Sequence, residues 1–419
     1  MTELIKFLNE SPNAFLAVEN IAKVLKENDY IELSEKDKFN IKKGNKYFVT
    51  RNGSSIIAFN VGKSLKDPCL LVSASHDDCP SFKLKPESII YQNSYLKLNT
   101  EVYGGALLYP WLDRPLSIAG RLIVKDKKGN IKAKNYDYSK PFCIIPSVAI
   151  HLNREANTDL KLNPQIDMLP ICGLEEKNLL DFLKKETKEN ILNYDLYLYP
   201  TQSAYVWGMK NEFISSYHLD DLQCAYASLK GFINNFNDDN INIYCCFDNE
   251  EVGSLTRQGA DSNYFESILK RICDSLKLDY YELLANGMLL SCDNGHAVHP
   301  NHPEKTDINN NVKLNKGIVI KYNANQSYTS DALSSAIFKD LLDKEKIPYQ
   351  FYTNRSDIRG GSTLGNLSNG HVSLLSIDIG LAQLAMHSPL ETSGTKDYNY
   401  LVDAIKAFYQ KHLNDNNLR

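Results

Sequence analysis

The chain has no run of about 18 apolar residues, so no segment is expected to cross a membrane as a helix. It has no long basic run, and its formal net charge is −4. Without a concentrated positive field, neither nucleic acid nor an anionic membrane is expected as a partner. It has no CxxC pair, and its nine cysteines are odd in number and scattered. Most of them sit in apolar runs ("DPCLL", "PFCII", "IYCCF"), the pattern of reduced thiols in a core rather than of a disulfide frame or a zinc ribbon. The N-terminus "MTELIKFLNESPNAF" lacks the unbroken apolar stretch of a signal peptide, because Glu3, Lys6 and Glu10 interrupt it. A cytoplasmic location is therefore expected. No internal repeat or low-complexity tract occurs.

What is present is an ordinary globular composition, 43% hydrophobic and 23% charged, over 419 residues. At about 150 residues per domain that length suggests two or three domains. Ser11-Pro12 reads as an N-cap and first helical residue, with Phe15, Leu16, Val18, Ile21, Val24 and Leu25 following at helical spacing. "KYFVTRNGSSIIAFNVG" reads as a hairpin turning at Asn52-Gly53. "CLLVSAS" is a short continuous apolar run, as in a strand buried on both faces. From residue 81 to 210 the character changes to strand-like pieces with turn signals, such as "SYLKLNTEVYG" and "LSIAGRLIVKDKKGNIKAKNY", with one charged surface helix. From Tyr217 onward, strands ("INIYCCF", "GMLLSC", "GIVIKY", "VSLLSIDIG") alternate with amphipathic helices. The expected fold is α/β: a mixed, mostly parallel sheet flanked by helices, formed by 1–80 plus 211–419, with a β-rich domain inserted at 81–210.

In open α/β sheets, ligands bind beyond the carboxyl ends of the strands. The residues that leave these apolar runs are chemically alike. His76-Asp77-Asp78 follow "CLLVSAS"; Asp248, Glu250 and Glu251 follow "INIYCCF"; Asp293 and then His296 follow "GMLLSC"; His387 follows "VSLLSIDIG". Asp220-Asp221 stand just before a helix. Each has an ordinary reading alone: a solvated carboxylate, an N-cap, a polar histidine. Together they are the residue types that bind zinc, and histidine with bridging Asp and Glu is the composition of a two-metal hydrolase. Three carboxylates within four positions also repel unless a cation lies among them. Adjacent residues of an extended chain face opposite ways, so one of Glu250 and Glu251 is expected to bind metal while the other acts as a base.

These motifs resemble those of the aspartyl aminopeptidase family of dinuclear zinc metalloaminopeptidases. The resemblance runs through "SHDDCPSFKLKP", "YGGALLYPWLDRPLSIAGR", "AIHLNREAN", "HLDDL", "DNEEVGS", "CDNGHAVHPNHP", "GIVIKYNANQSYTSDA" and "LAMHS", and so spans the chain. It implies a zinc exopeptidase-like catalytic domain holding two divalent metals per subunit, zinc first, with cobalt or manganese as alternatives. It assigns His76, Asp220 and Asp293 to one metal, and Asp220, Glu251 and His387 to the other. Glu250 becomes the general base and Asp78 the carboxylate that orients His76. Substrate contacts fall on His151, His296, Lys321 and Tyr328, with His151 reaching a neighbouring subunit's site from the inserted domain. The family also implies a homo-oligomer, a tetrahedral dodecamer built from dimers. In detail the chain has "HDD", "LDDL" and "DIRGGST" where relatives commonly differ; none of these changes a candidate ligand.

The expected activity is removal of N-terminal residues, Asp or Glu, from peptides by a water activated between two metals. Lys321, read as another strand exit after "GIVI", would pair with the acidic side chain. His296 and Tyr328 are candidates for the oxyanion, and "RGGSTLGN" reads equally as a source of backbone N–H groups for substrate or as a plain glycine turn. Three alternatives stand beside this reading. One is the same chemistry with a neutral-residue preference. Another is a non-catalytic assembly protein, which the intact ligand set and Glu250 disfavour. The third is a related deacylase or carboxypeptidase, in which Lys321 or Arg359 would hold a carboxylate.

Overall fold

The computed structural model describes residues 1–358 and 360–413. Its centre is a nine-stranded sheet. In spatial order the strands are Ile31–Leu33, Lys46–Arg51, Ser55–Val61, Asn240–Phe247, Cys69–His76, Gly287–Cys292, Leu375–Gly380, Ile318–Lys321 and Tyr349–Tyr352. Four neighbours run parallel: Asn240–Phe247, Cys69–His76, Gly287–Cys292 and Leu375–Gly380. Their carboxyl ends therefore open onto one edge. The Ser55–Val61 strand and the Ile318–Lys321 strand run against their inner neighbours, which makes the sheet mixed but mostly parallel.

These central strands are buried on both faces, and alternation along them explains how. Tyr244, Cys246, Met288 and Leu290 pack into one apolar cluster with helices Leu219–Phe232 and Asp397–Gln410. Ile243, Cys245 and Leu289 pack into another with Tyr264, Ile268 and Ile272 of helix Tyr264–Leu276. Continuous apolar runs result because neither face meets water.

A second, wholly antiparallel sheet of six strands lies within residues 81–200, from Ser81–Gln92 to Ile191–Pro200. It has its own core around Phe82, Trp111, Ile118 and Leu198, closed by Leu183 of the Leu179–Thr187 helix. A third sheet of five short strands, including Phe213–Ser216, Glu391–Gly394 and Ala382–Leu384, was not expected from sequence. No helix among the described residues is long and apolar enough to cross a membrane.

One local expectation is corrected. Ser11-Pro12 do not open a helix; they lie between helices Thr2–Glu10 and Ala14–Glu27. Asn13 is the cap, its side chain accepting the N–H groups of Phe15 at 3.1 Å and Leu16 at 3.3 Å. Either residue type can cap, so composition alone did not choose between them.

Candidate metal centre

His76 ends its strand and pairs in register with Phe247, so the residues after Phe247 emerge beside it. Asp293 follows Cys292, and its N–H donates to Ile379 O of the neighbouring strand at 2.9 Å. Asp220 lies at the start of the Leu219–Phe232 helix, where Asp220 and Asp221 have non-helical dihedrals. His387 lies in the loop between strands Ala382–Leu384 and Glu391–Gly394, in the left-handed region at φ 66°.

These side chains converge. His76 Nε2 lies 3.7 Å from Asp220 Oδ1 and 3.9 Å from Asp293 Oδ1. His387 Nε2 lies 3.5 Å from Asp220 Oδ2 and 3.3 Å from Glu251 Oε1. The two oxygens of Asp220 thus face one histidine each. Ligand atoms within 4.8 Å of one another form the sets His76–Asp220–Asp293 and Asp220–Glu251–His387, and a third set joins His76, Glu250 and Glu251.

The donor set fits divalent metal. Bonds of about 2.0–2.2 Å at tetrahedral angles hold two ligand atoms of one zinc roughly 3.3–3.6 Å apart. The His387 separations, 3.3 and 3.5 Å, fall in that range and the His76 separations, 3.7 and 3.9 Å, lie just beyond it; all four are long for direct hydrogen bonds. Asp220 Oδ1 and Glu251 Oε1 are buried with no hydrogen-bond partner. Electrostatics points the same way. Burial pushes Glu250 well above the usual carboxylate range, and Asp293 and Glu251 beside it add to the effect. Burial and neighbouring Asp220 push Asp293 up to about 7 despite Lys321. Burial disfavours charge on His387, yet Asp220 and Glu251 outweigh it and raise the imidazole to about 11. A cation among these groups would relieve the carboxylate repulsion and displace that proton.

Each histidine has its other nitrogen occupied. His76 Nδ1 lies 3.1 Å from Asp78 O and 3.3 Å from Asp78 Oδ1, and His387 Nδ1 lies 3.0 Å from Gly105 O. Both contacts leave Nε2 toward the cluster, as orienting partners of metal-binding histidines do. Asp78 also fixes the acidic turn. Its Oδ1 accepts the N–H of Glu250 at 3.0 Å; its Oδ2 accepts the N–H of Glu251 at 3.2 Å and the hydroxyl of Tyr103 at 2.6 Å.

The extended backbone expected at Glu250-Glu251 is absent. Glu250–Val252 forms a turn of 3-10 helix between Asn249 and Gly253, both with positive φ. The two carboxylates still differ: Glu251 approaches His387, while Glu250 lines the adjoining cavity and approaches His76. Asp248, the third acid of the run, joins none of these sets; Gln258 and Ser55 contact it instead.

The cavity measures about 520 Å³, and the five convergent residues and Glu250 line it together with His296, Lys321 and Tyr328. Lys321 is 2% exposed, with Nζ 3.3 Å from Asp293 Oδ2. Lys321 is not a strand exit toward the site, as its place after "GIVI" suggested. Its strand runs against Leu375–Gly380, so Lys321 leaves toward the other edge and reaches the site through side-chain length. His296 touches solvent in the cavity, but enclosing walls and Lys321 hold its pKa below the ordinary value. Burial and nearby Asp293 raise the Tyr328 phenol despite Lys321. Gly361, Ser362 and Thr363 contribute to the wall, whereas Arg359 lies outside the described residues. His151 is not brought in; it is exposed in a turn of the six-stranded region and does not line this cavity.

Sequence reasoning missed three contributors: Tyr103, Gly105 and Glu391. Tyr103 and Gly105 end the strand Tyr95–Tyr103 and open the loop after it; the motif "YGGALLYPWLDRPLSIAGR" contains both, but sequence reasoning gives neither a role at the site. Glu391 accepts the N–H groups of both Asp220 and His387. Its place four residues after His387 was the available signal.

Comparison with known proteins adds a common frame. The model of the family described as "Aminopeptidase I zinc metalloprotease (M18)" matches residues 7–409. The chain is 45% identical over 424 residues to a probable M18 family aminopeptidase 2 of Clostridium novyi (strain NT), covering 97% of this chain and 98% of that one. Among solved structures, it resembles Ape4 in a cryo-EM complex with Nbr1 (TM-score 0.93, 34% identity, 98% of this chain and 85% of that one). It also resembles the mApe1 dodecamer of S. cerevesiae (TM-score 0.87, 28% identity, 98% and 96%).

Proposed function

As a member of the aminopeptidase I (M18) family, the chain is a zinc metalloaminopeptidase, a hydrolase, and we propose that it uses two cations to remove N-terminal acidic residues from peptides. The observation that carries the two-cation reading is the pair of ligand sets sharing Asp220. His76, Asp220 and Asp293 would hold one ion; Asp220, Glu251 and His387 would hold the other. Zinc held there, or cobalt or manganese in its place, would supply Lewis-acid polarisation of a scissile carbonyl and a water of lowered pKa.

The chain's own groups do the rest. Glu250 takes a proton from the attacking water and returns it to the leaving amine. Its position in the cavity beside His76 supports that role. Asp78 keeps His76 oriented and holds the Glu250-Glu251 turn in place. The cluster's carboxylates attract the substrate's free α-amine, which limits cleavage to one residue at a time. His296, neutral at pH 7, and Tyr328, which keeps its proton, donate to the developing oxyanion. Lys321 faces the first side chain, and its charge favours Asp or Glu.

One observation favours a neutral preference instead: Lys321 already pairs with Asp293. The two readings separate on Asp-, Glu-, Leu- and Lys-anilides, with N-acetylated controls. A charge-assisted bond of roughly 1.5–3 kcal/mol gives about a ten- to hundredfold preference for Asp over Leu. Lys321→Ala should erase it. Equal rates on Asp- and Leu-anilide would establish the neutral preference, and cleavage of N-acetylated peptides would contradict the aminopeptidase mechanism.

The proposal extends to organisation. Residues 1–80 plus 211–419 form the catalytic unit, and 81–210 an inserted oligomerisation unit that delivers His151 to a neighbour's site. The assembly is a tetrahedral dodecamer built from dimers, in the cytoplasm. The dodecameric mApe1 relative supports the assembly.

A further inference from the structure

The histidine rings and the acidic turn have their positioning contacts in Asp78 and Gly105. The main chain at Asp220 and His387 is held differently. Neither residue sits in a regular element: Asp220 has non-helical dihedrals, and His387 lies in a loop in the left-handed region. One side chain reaches both. Glu391 Oε2 accepts the N–H of Asp220 at 2.9 Å, and Glu391 Oε1 accepts the N–H of His387 at 2.7 Å.

The topology explains how one residue can do this. Glu391 opens the strand Glu391–Gly394 and pairs with Ser216, the end of the strand that leads to Asp220. The same strand pairs on its other side with Ala382–Leu384, which leads to His387. Glu391 is 2% exposed, so water does not compete for these N–H groups.

We propose that Glu391 is a positioning residue that sets the geometry of the Asp220–Glu251–His387 cation position, and hence the affinity of that cation. The inference rests on the two-cation reading above. The other position depends on Glu391 only through the shared Asp220. His76 is fixed by Asp78 and by its N–H to Asp221 Oδ2, and Asp293 by its N–H to Ile379 O. A glutamine at 391 keeps the shape but turns one acceptor into a donor facing an N–H. It therefore releases one of the two backbones.

The test is zinc release under chelator titration, on the full chain, for wild type, Glu391→Gln and Ser393→Ala. Ser393 lies on the same strand and donates to Ala382 O at 2.9 Å, away from the ligands. Glu391→Gln should release one zinc about 10- to 100-fold more readily, the usual cost of losing an orienting partner, while the second stays near wild type. Added zinc should restore its kcat, and Ser393→Ala should behave as wild type. Wild-type retention of both zincs by Glu391→Gln, parallel loss of both, or the same loosening in Ser393→Ala would each overturn the inference. If Glu391→Gln does not fold, Glu391→Asp, which keeps the charge but is too short to span both N–H groups, is read in the same titration. Fewer than two zincs in wild type would bring down the two-cation reading and the inference with it. Two tightly held zincs in both proteins would bring down the inference alone.

Discussion

Two regions of the molecule carry opposite kinds of excess. At the carboxyl edge of the nine-stranded sheet, polar groups are buried and several have no hydrogen-bond partner, Asp220 Oδ1 and Glu251 Oε1 among the potential ligands and Asp77 and Asp221 Oδ1 beside them. In the six-stranded region, between Ile145 and Ile171, the excess is apolar and exposed. Val148, Leu152 and Ile166 are 57%, 83% and 73% accessible, and His151 stands among them. Burying unpartnered carboxylates is costly unless something cationic joins them. Several large apolar groups exposed within one short stretch are what a protein–protein contact would cover. The chemistry of the first region suits cations and that of the second suits a neighbouring surface, and the proposed mechanism uses both.

If that contrast holds, the two regions should fail independently. The largest effect is expected from metal removal. Chelation should abolish measurable activity, and zinc, cobalt or manganese should restore it, while sedimentation of the assembly stays unchanged. Full activity in metal-free protein, or dissociation on chelation, would break the separation.

A smaller loss is expected from the other region. His151→Ala should lower kcat/KM by about ten- to hundredfold, the scale of one hydrogen bond to a charged group, with zinc content unchanged. Mixing it with Glu250→Gln subunits should regain activity, since some sites then hold intact copies of both residues. No regain despite proven subunit exchange would place His151 outside the neighbour's site.

The smallest effect concerns stability rather than catalysis. Burial depresses His218 from 6.5 to about 3. Between those values the unfolded chain binds a proton that the native chain does not, so stability is present above pH 6.5 and lost as pH falls. At pH 5 the loss from this group is roughly 2 kcal/mol. His218 has φ 47°, which asparagine tolerates, so His218→Asn should flatten the acid slope of denaturant stability. An unchanged slope would mean that His218 titrates normally in the native state.

The same contrast explains what the sequence could reveal. Buried parallel strands read as continuous apolar runs, so their exits could be located, and the residues at those exits meet in the structure. What failed was local conformation and long-range bonding. Glu250–Val252 is a 3-10 turn, set by Asp78 172 residues away rather than by local pattern. Asn13, not Ser11, caps the second helix. Lys321 lies on a strand of opposite direction, and strand direction leaves no mark in composition. Glu391 opens the four-residue strand "ETSG", which is too short and polar to carry a period.

The most direct test of the two-cation mechanism compares Glu250→Gln with Glu251→Gln for bound zinc and for rate. Glu250→Gln should keep both zincs and lose rate by about 10²- to 10⁴-fold, as removal of a general base does. Glu251→Gln should lose zinc as well as rate. If Glu250→Gln lost zinc while Glu251→Gln kept both ions, or if Glu250→Gln turned over at the wild-type rate, the assignment of base and ligand would be contradicted.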